Sequence, residues 1–208
     1  MLIIFDLDDT LVDTSATITR KAIAWALDDL QIDLPMAEFE KANARAYTSK
    51  DALLQFMDEG QASCVVERVH AFPLMLADVQ PVTGVLELLA ELKEHELGIV
   101  TVGKYEQQIE KLERSGIDPK LFAFIEVSCK RDKSGIYQKI LENGHVAENI
   151  LVVGDRIATD LSPAKALNMQ TIHFRYGRGL NSTGFKRDVD VTIDSISQVK
   201  QVVYEQQT

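Results

Sequence analysis

Apolar residues follow two rhythms along this chain. Short unbroken runs are bounded by polar or turn-forming residues and predict buried strands: Leu2 to Phe5, Leu97 to Val102, Phe122 to Ser128, Ile150 to Val153, Met169 to Phe174 and Val189 to Ile193. Between them the spacing changes to three and four. Val85, Leu88, Leu89 and Leu92 lie on one face of a helix. Gln107 to Ser115 reads as a helix ended by Gly116. Tyr137, Ile140 and Leu141 mark a helix closed by Gly144. Ser162-Pro163 can cap and open a helix to Leu167, with Asn168 taking a left-handed turn. Ile196, Val199 and Val203 mark a last helix. Strands separated by helices imply an α/β fold, a parallel sheet joined by right-handed crossovers.

One stretch breaks the alternation. Asp13-Thr14-Ser15 offers capping side chains for a helix to about Leu30, with Ile23, Leu27 and Leu30 on one face and Leu34-Pro35 as its break. From Met36 to about Val79 no strand is predicted. Two or three further helices are, with Gly60 as punctuation between them. The simplest organisation is a core domain of residues 1–13 and 81–208 interrupted by an inserted helical domain, residues 14–80.

Bulk properties narrow the partners. A chain of 208 residues that is 46% hydrophobic and 26% charged can bury a core without staples. A net charge of −10 argues against a general nucleic-acid binder, which needs clustered Lys and Arg. It weighs less against a small phosphate ester, because a local cation and Lys can invert the field. Cys64 and Cys129 form no C-x-x-C pair, so reduced thiols in a cytoplasmic protein are expected. The opening residues lack a basic leader region, and no stretch reaches the apolar length of a membrane span. Nothing in the residues speaks to oligomeric state.

The chemistry starts at the end of the first strand. Asp6 and Asp8 follow Leu2 to Phe5 one residue apart, at the end of the sheet where open α/β folds bind ligands. Strand alternation would send both side chains the same way, and their repulsion calls for a cation or a shared proton. The plain alternative is an acidic turn with Thr10 as a helix cap. Further along, Thr101 ends the second strand, Lys133 follows the third, and Gly154-Asp155 with Asp160 follows the fourth.

An Asp-x-Asp-x-Thr, a strand-terminal Thr, a Lys and a Gly-Asp-x-x-x-x-Asp, in that order, resemble the haloacid-dehalogenase-like hydrolase superfamily, in its branch with a helical cap. About a dozen motif residues carry the resemblance. It implies a Rossmann-like core with the first strand central and a helical cap inserted. It implies an Mg²⁺-dependent phosphatase acting on a small phosphorylated metabolite, with neither nucleic acid nor membrane as partner.

The same resemblance implies the roles. Asp6 is the nucleophile and a metal ligand, and Asp8 is the general acid and base, its carbonyl a further metal ligand. Asp155 binds Mg²⁺ directly, and Asp160 holds a metal-bound water or orients Lys133. Thr101 and the Val102 amide face the phosphoryl group, although Val102 stands where many members have Asn. Lys133 neutralises charge on the nucleophile. The missing Lys-Pro pair leaves Lys130 as the alternative, and Lys133 is preferred because it directly precedes the helix bearing Tyr137. Thr10 ties the loop through its hydroxyl, and Gly154 lets the backbone turn closely. Arg45 and Lys50 could reach an anionic substrate tail, but solvation is the default for such residues. Ion pairing is the default for Arg156, Arg175 and Arg178.

Three readings of the function compete. The first is hydrolysis of a phosphomonoester through an aspartyl-phosphate. The second is a phosphotransferase or sugar-phosphate mutase using the same intermediate. The third is a low-turnover phosphate-binding scaffold, which would have no use for an acid/base at position 8. Dehalogenation ranks last, because that branch does not carry Asp there.

Overall fold

The computed structural model describes residues 1–205; residues 206–208, the end of the segment read as core, lie outside them. Six strands, β1 (Leu2–Phe5), β2 (Glu96–Val102), β3 (Phe124–Ser128), β4 (Ile150–Gly154), β5 (Gln170–Phe174) and β6 (Val191–Ile193), form one parallel sheet. Their order is β3-β2-β1-β4-β5-β6. β1 is paired on both sides and all four of its residues are buried, which is why it reads as an unbroken apolar run.

The chain divides into two compact units, Met1–Asp13 with Gln80–Thr208, and Thr14–Val79. The first unit holds the sheet. Its helices are α5 (Val85–Glu91), α6 (Tyr105–Arg114), α7 (Ser134–Glu142), α8 (Ser162–Lys165) and α9 (Val199–Glu205). Leu2, Ile4, Val100 and Val152 pack with Tyr137 and Ile140 of α7 and Ala164 of α8. α6 lies on the other face, because it joins β2 to β3 in one direction while α7 crosses back from β3 to β4. The second unit has its own core, in which Ile23 and Leu27 of α1 (Arg20–Asp29), Phe39 of α2 (Met36–Arg45), Leu53 of α3 (Ser49–Leu53) and Val65 of α4 (Glu59–Val69) are buried together. The two connections between the units leave the first as neighbours: Asp13 N donates to Gln80 O at 2.9 Å, Val82 N to Leu11 O at 2.9 Å, and Val12 bridges Pro81 antiparallel.

Several local expectations are corrected. Thr14 does not cap. The helix opens with a π turn, Ser15–Thr19, at whose start Thr14 is already helical and makes no side-chain cap bond. Gly60 does not separate helices but lies in the first turn of α4, whose stop-and-start is set by the Asp58 side chain accepting from Gln61 N. Ser162 caps nothing, because the chain is already helical from a π turn at Ile157–Leu161; its hydroxyl donates to Asp188 Oδ2 instead. Asn168, Gly116 and Gly144 do take positive φ at helix ends, at 63°, 78° and 99°.

Gly98 of β2 faces Phe124 of β3 across the ladder, and a Cβ there would lie 2.3 Å from the ring. We expect Gly98→Val to displace that ring and cost about 1–3 kcal/mol, an overpacking penalty. Urea denaturation checks it: an unchanged midpoint would show that the ring does not need the empty space.

Candidate active site

The first carboxylate is fixed by the end of β1. Asp6 N donates to Val153 O at 2.9 Å, extending the ladder one residue past the strand. Its side chain then lies on the α7 face with Ile4. Lys133, the residue before α7, is 1% exposed and spans two carboxylates: its Nζ donates to Asp6 Oδ1 at 2.6 Å and to Asp160 Oδ1 at 2.7 Å. Lys130 is exposed, with its backbone N on Ser128 Oγ. The geometry therefore puts Lys133, not Lys130, at the strand ends.

Asp160 sits in the π turn after β4. Its Oδ2 accepts from Arg156 N at 2.9 Å, closing that turn, while Oδ1 takes Lys133. The Tyr137 hydroxyl, buried in α7, donates to the Asp160 carbonyl. Gly154 is required here for a reason other than the turn expected of it. It is the last residue of a regular strand, and a Cβ would lie 2.7 Å from Asp160 Cβ and Oδ2. The glycine makes room for the Asp160 side chain.

Asp6, Asp155 and Asp160 bring carboxylate oxygens within 4.8 Å of one another, all buried. Burial pushes the Asp6 carboxyl up to about 7, with Lys133 pulling against it and Asp160 and Asp8 adding to the rise. Burial first, then Asp160, Asp6 and Asp9, holds Asp155 well above the usual carboxylate range; Arg156, whose Nε is 3.5 Å away, opposes. Burial works against the charge on Lys133 as well. Asp160 and Asp6 outweigh it, and the ammonium is held well above its ordinary value. These directions agree once the charges are compared: Lys133 pairs with Asp6 and Asp160, Arg156 lies against Asp155, and three carboxylates against two cations leave one negative charge in excess. An all-oxygen, electron-rich set of this kind suits a hard divalent cation such as Mg²⁺ rather than a soft metal.

Asp8 departs from expectation. Alternation would aim it the same way as Asp6, but β1 ends at Phe5 and the backbone turns, with Asp9 at φ 60°. Asp8 instead pairs with α6: Lys111 Nζ donates to Oδ1 at 2.6 Å and Gln108 Nε2 to Oδ2 at 3.1 Å. Gln108 also donates to Thr101 Oγ1 at 2.9 Å and to Val102 O at 3.0 Å, so Thr101, Val102 and Asp8 are gathered by one side chain. Sequence reasoning passed over Gln108 and Lys111. Their signal was polarity in the wrong place: Gln108 and Lys111 share the buried face of α6 with Leu112, and buried Ser115 follows at its C-cap.

Thr10 also departs from expectation. Its hydroxyl is fully buried and, among the described residues, has no hydrogen-bond partner. The loop is tied by backbone instead: Leu7 O accepts from the amides of Thr10, Leu11 and Val12. Asp9, passed over beside it, reaches across the site, its Oδ2 taking Arg178 N at 3.4 Å. The remaining cations largely follow their default. Lys50 pairs with Glu59, Arg175 with Asp194 and Arg156 with Asp155, while Arg45 is exposed.

The sequence profile described as haloacid dehalogenase-like hydrolase matches residues 3–174. The chain belongs to the haloacid dehalogenase-like hydrolases. Among curated members of that family, glyceraldehyde 3-phosphate phosphatase of Pyrococcus abyssi is 33% identical over 200 residues, covering 85% of this chain and 82% of its own. The Pyrococcus furiosus protein of the same name is 31% identical over 222 residues, covering 97% and 92%. Among solved structures of haloacid dehalogenase-like proteins, YfnB from Bacillus subtilis, crystallised with bound magnesium, superposes with a TM-score of 0.74 at 20% identity, covering 98% of each chain. No helix among the described residues is long and apolar enough to cross a membrane, and Cys64 and Cys129 are free and exposed.

The raised Asp6 carboxyl makes a stability prediction. A group whose folded pKa lies above its unfolded value stabilises the fold at low pH, and that contribution fades as pH rises from about 4 to about 7. In EDTA, the melting temperature of Asp6→Asn minus that of the parent should therefore become more positive between pH 5 and pH 8. A difference that does not change with pH would show that Asp6 is not held up by burial.

Proposed function

We propose that this chain hydrolyses a small phosphomonoester through a covalent aspartyl-phosphate on Asp6. The observation that carries the reading is the buried Lys133 ammonium spanning Asp6 and Asp160. A carboxylate oxygen of Asp6 attacks phosphorus, and the ester P–O bond breaks toward the alcohol oxygen, which takes a proton from Asp8. Water then attacks the aspartyl-phosphate and gives a proton to Asp8, releasing inorganic phosphate and restoring Asp6. Lys133 balances charge on Asp6 and on the transferring group, and Asp160 holds Lys133 in place. Thr101 and the Val102 amide bind phosphoryl oxygens. Asp6, Asp155 and the Asp8 carbonyl would hold Mg²⁺, which when bound supplies charge neutralisation between carboxylate and phosphoryl oxygens. Thr14–Val79 serves as the cap domain that selects the substrate, and free exposed cysteines suit a cytoplasmic, reducing setting.

The names of the relatives make glyceraldehyde 3-phosphate the first substrate to assay, beside phosphoglycolate, sugar phosphates and nucleotides. Phosphate release should stop in EDTA and return with Mg²⁺. Full activity without any divalent ion would overturn the metal assignment.

The two strand-end carboxylates should fail differently. Asp6→Asn should abolish turnover and all covalent phosphoryl-enzyme, whereas Asp8→Asn should slow turnover about 10²- to 10⁴-fold. The Asp8 loss should shrink for aryl phosphates, whose leaving groups need little protonation. Rapid quench with a hydroxylamine test for the acyl phosphate distinguishes them; labelling of the Asp6 variant would disprove the covalent role.

A further inference from the structure

Asp8 is held by a helix that carries none of the motif residues. Lys111 is 8% exposed and Gln108 1%, both on the core-facing side of α6. Burying and ordering a Lys side chain is costly unless its charge is matched. It pairs with Asp8 Oδ1 at 2.6 Å. An ammonium only donates, so this contact persists whether or not Asp8 carries a proton on its other oxygen. Gln108 is different. Its amide has two hydrogens and three acceptors within reach: Asp8 Oδ2 at 3.1 Å, Thr101 Oγ1 at 2.9 Å and Val102 O at 3.0 Å. It can release Oδ2 and keep both hydrogens bonded.

We propose that Lys111, assisted by Gln108, is a positioning residue for Asp8: Lys111 anchors Oδ1 throughout, and Oδ2 is the oxygen that carries the transferable proton. The inference rests on the phosphatase reading above. In the first step the Oδ2–H bond breaks and its proton passes to the alcohol oxygen as the ester P–O bond breaks; Gln108 then donates to the bare Oδ2. In the second step a proton from water returns to Oδ2, and Gln108 falls back on Thr101 and Val102. Lys111 takes no part in either transfer. While Gln108 donates to Thr101 Oγ1, the hydroxyl's single proton is left for another acceptor, which orients Thr101 toward a phosphoryl oxygen.

The test compares the first step for two leaving groups. Single-turnover formation of phosphoryl-enzyme is measured with 2,4-dinitrophenyl phosphate and with glyceraldehyde 3-phosphate, at saturating Mg²⁺, for parent, Lys111→Met and Lys111→Arg. Misplacing the acid should slow Lys111→Met on the alkyl ester by about 10²-fold and leave the aryl ester unchanged, with Lys111→Arg restoring most of the loss. If Lys111→Met does not fold, Lys111→Gln, of similar length and uncharged, makes the same comparison. An equal loss on both esters, or no loss on either, overturns the positioning role while the phosphatase reading stands. A parent enzyme that forms no phosphoryl-enzyme from either ester overturns the reading itself.

Discussion

One buried ammonium joins three parts of the sheet. Lys133 enters from the start of α7, Asp6 from the end of β1, and Asp160 from the turn after β4. None of the three is tolerable in the interior alone, and removing one partner of such a set typically costs about 3–5 kcal/mol. Much of the surroundings follows from it. Gly154 must lack a Cβ because Asp160 fills that space. Arg156 N and the Tyr137 hydroxyl are spent on keeping Asp160 where Lys133 can reach it. The arrangement also leaves carboxylate in excess, which is what a divalent cation would require of it.

The sheet was plain from sequence because its central strands β1 and β4 are apolar runs buried on both faces, and because the motif residues sit at the strand ends. β1 begins and ends where its apolar residues do. What could not be read depends on three-dimensional neighbours. The π turns at Ser15–Thr19 and Ile157–Leu161 carry no residue signature and leave Thr14 and Ser162 inside helix rather than capping it. Asp6 and Asp8 part company because alternation holds only while the strand lasts, and a two-residue pattern does not say where it stops. Lys111 and Gln108 are separated from Asp8 by about a hundred residues of chain, so only their unexpected polarity on a buried helix face hinted at them.

Geometry also assigns the two carboxylates to different supports. Asp6 answers to α7 and Asp8 to α6, on opposite faces of one sheet. Attack and proton transfer in the proposed reaction are thus held by separate elements. A change in one helix can alter one task and leave the other nearly intact, which makes the two experimentally separable.

The paired connections at Val12 and Pro81 have a consequence for ancestry and design. The chain leaves the sheet-bearing unit and returns to it through hydrogen-bonded neighbours. To the core, everything from Thr14 to Val79 is one long loop with its ends already closed, and lengthening such a loop costs little, each doubling adding only about 0.6 kcal/mol. Insertions of very different size and sequence can therefore be spliced at this joint without retuning the sheet. A lineage can replace the whole inserted unit while leaving the side chains at the strand ends unaltered, and a grafted unit needs only to begin and end side by side.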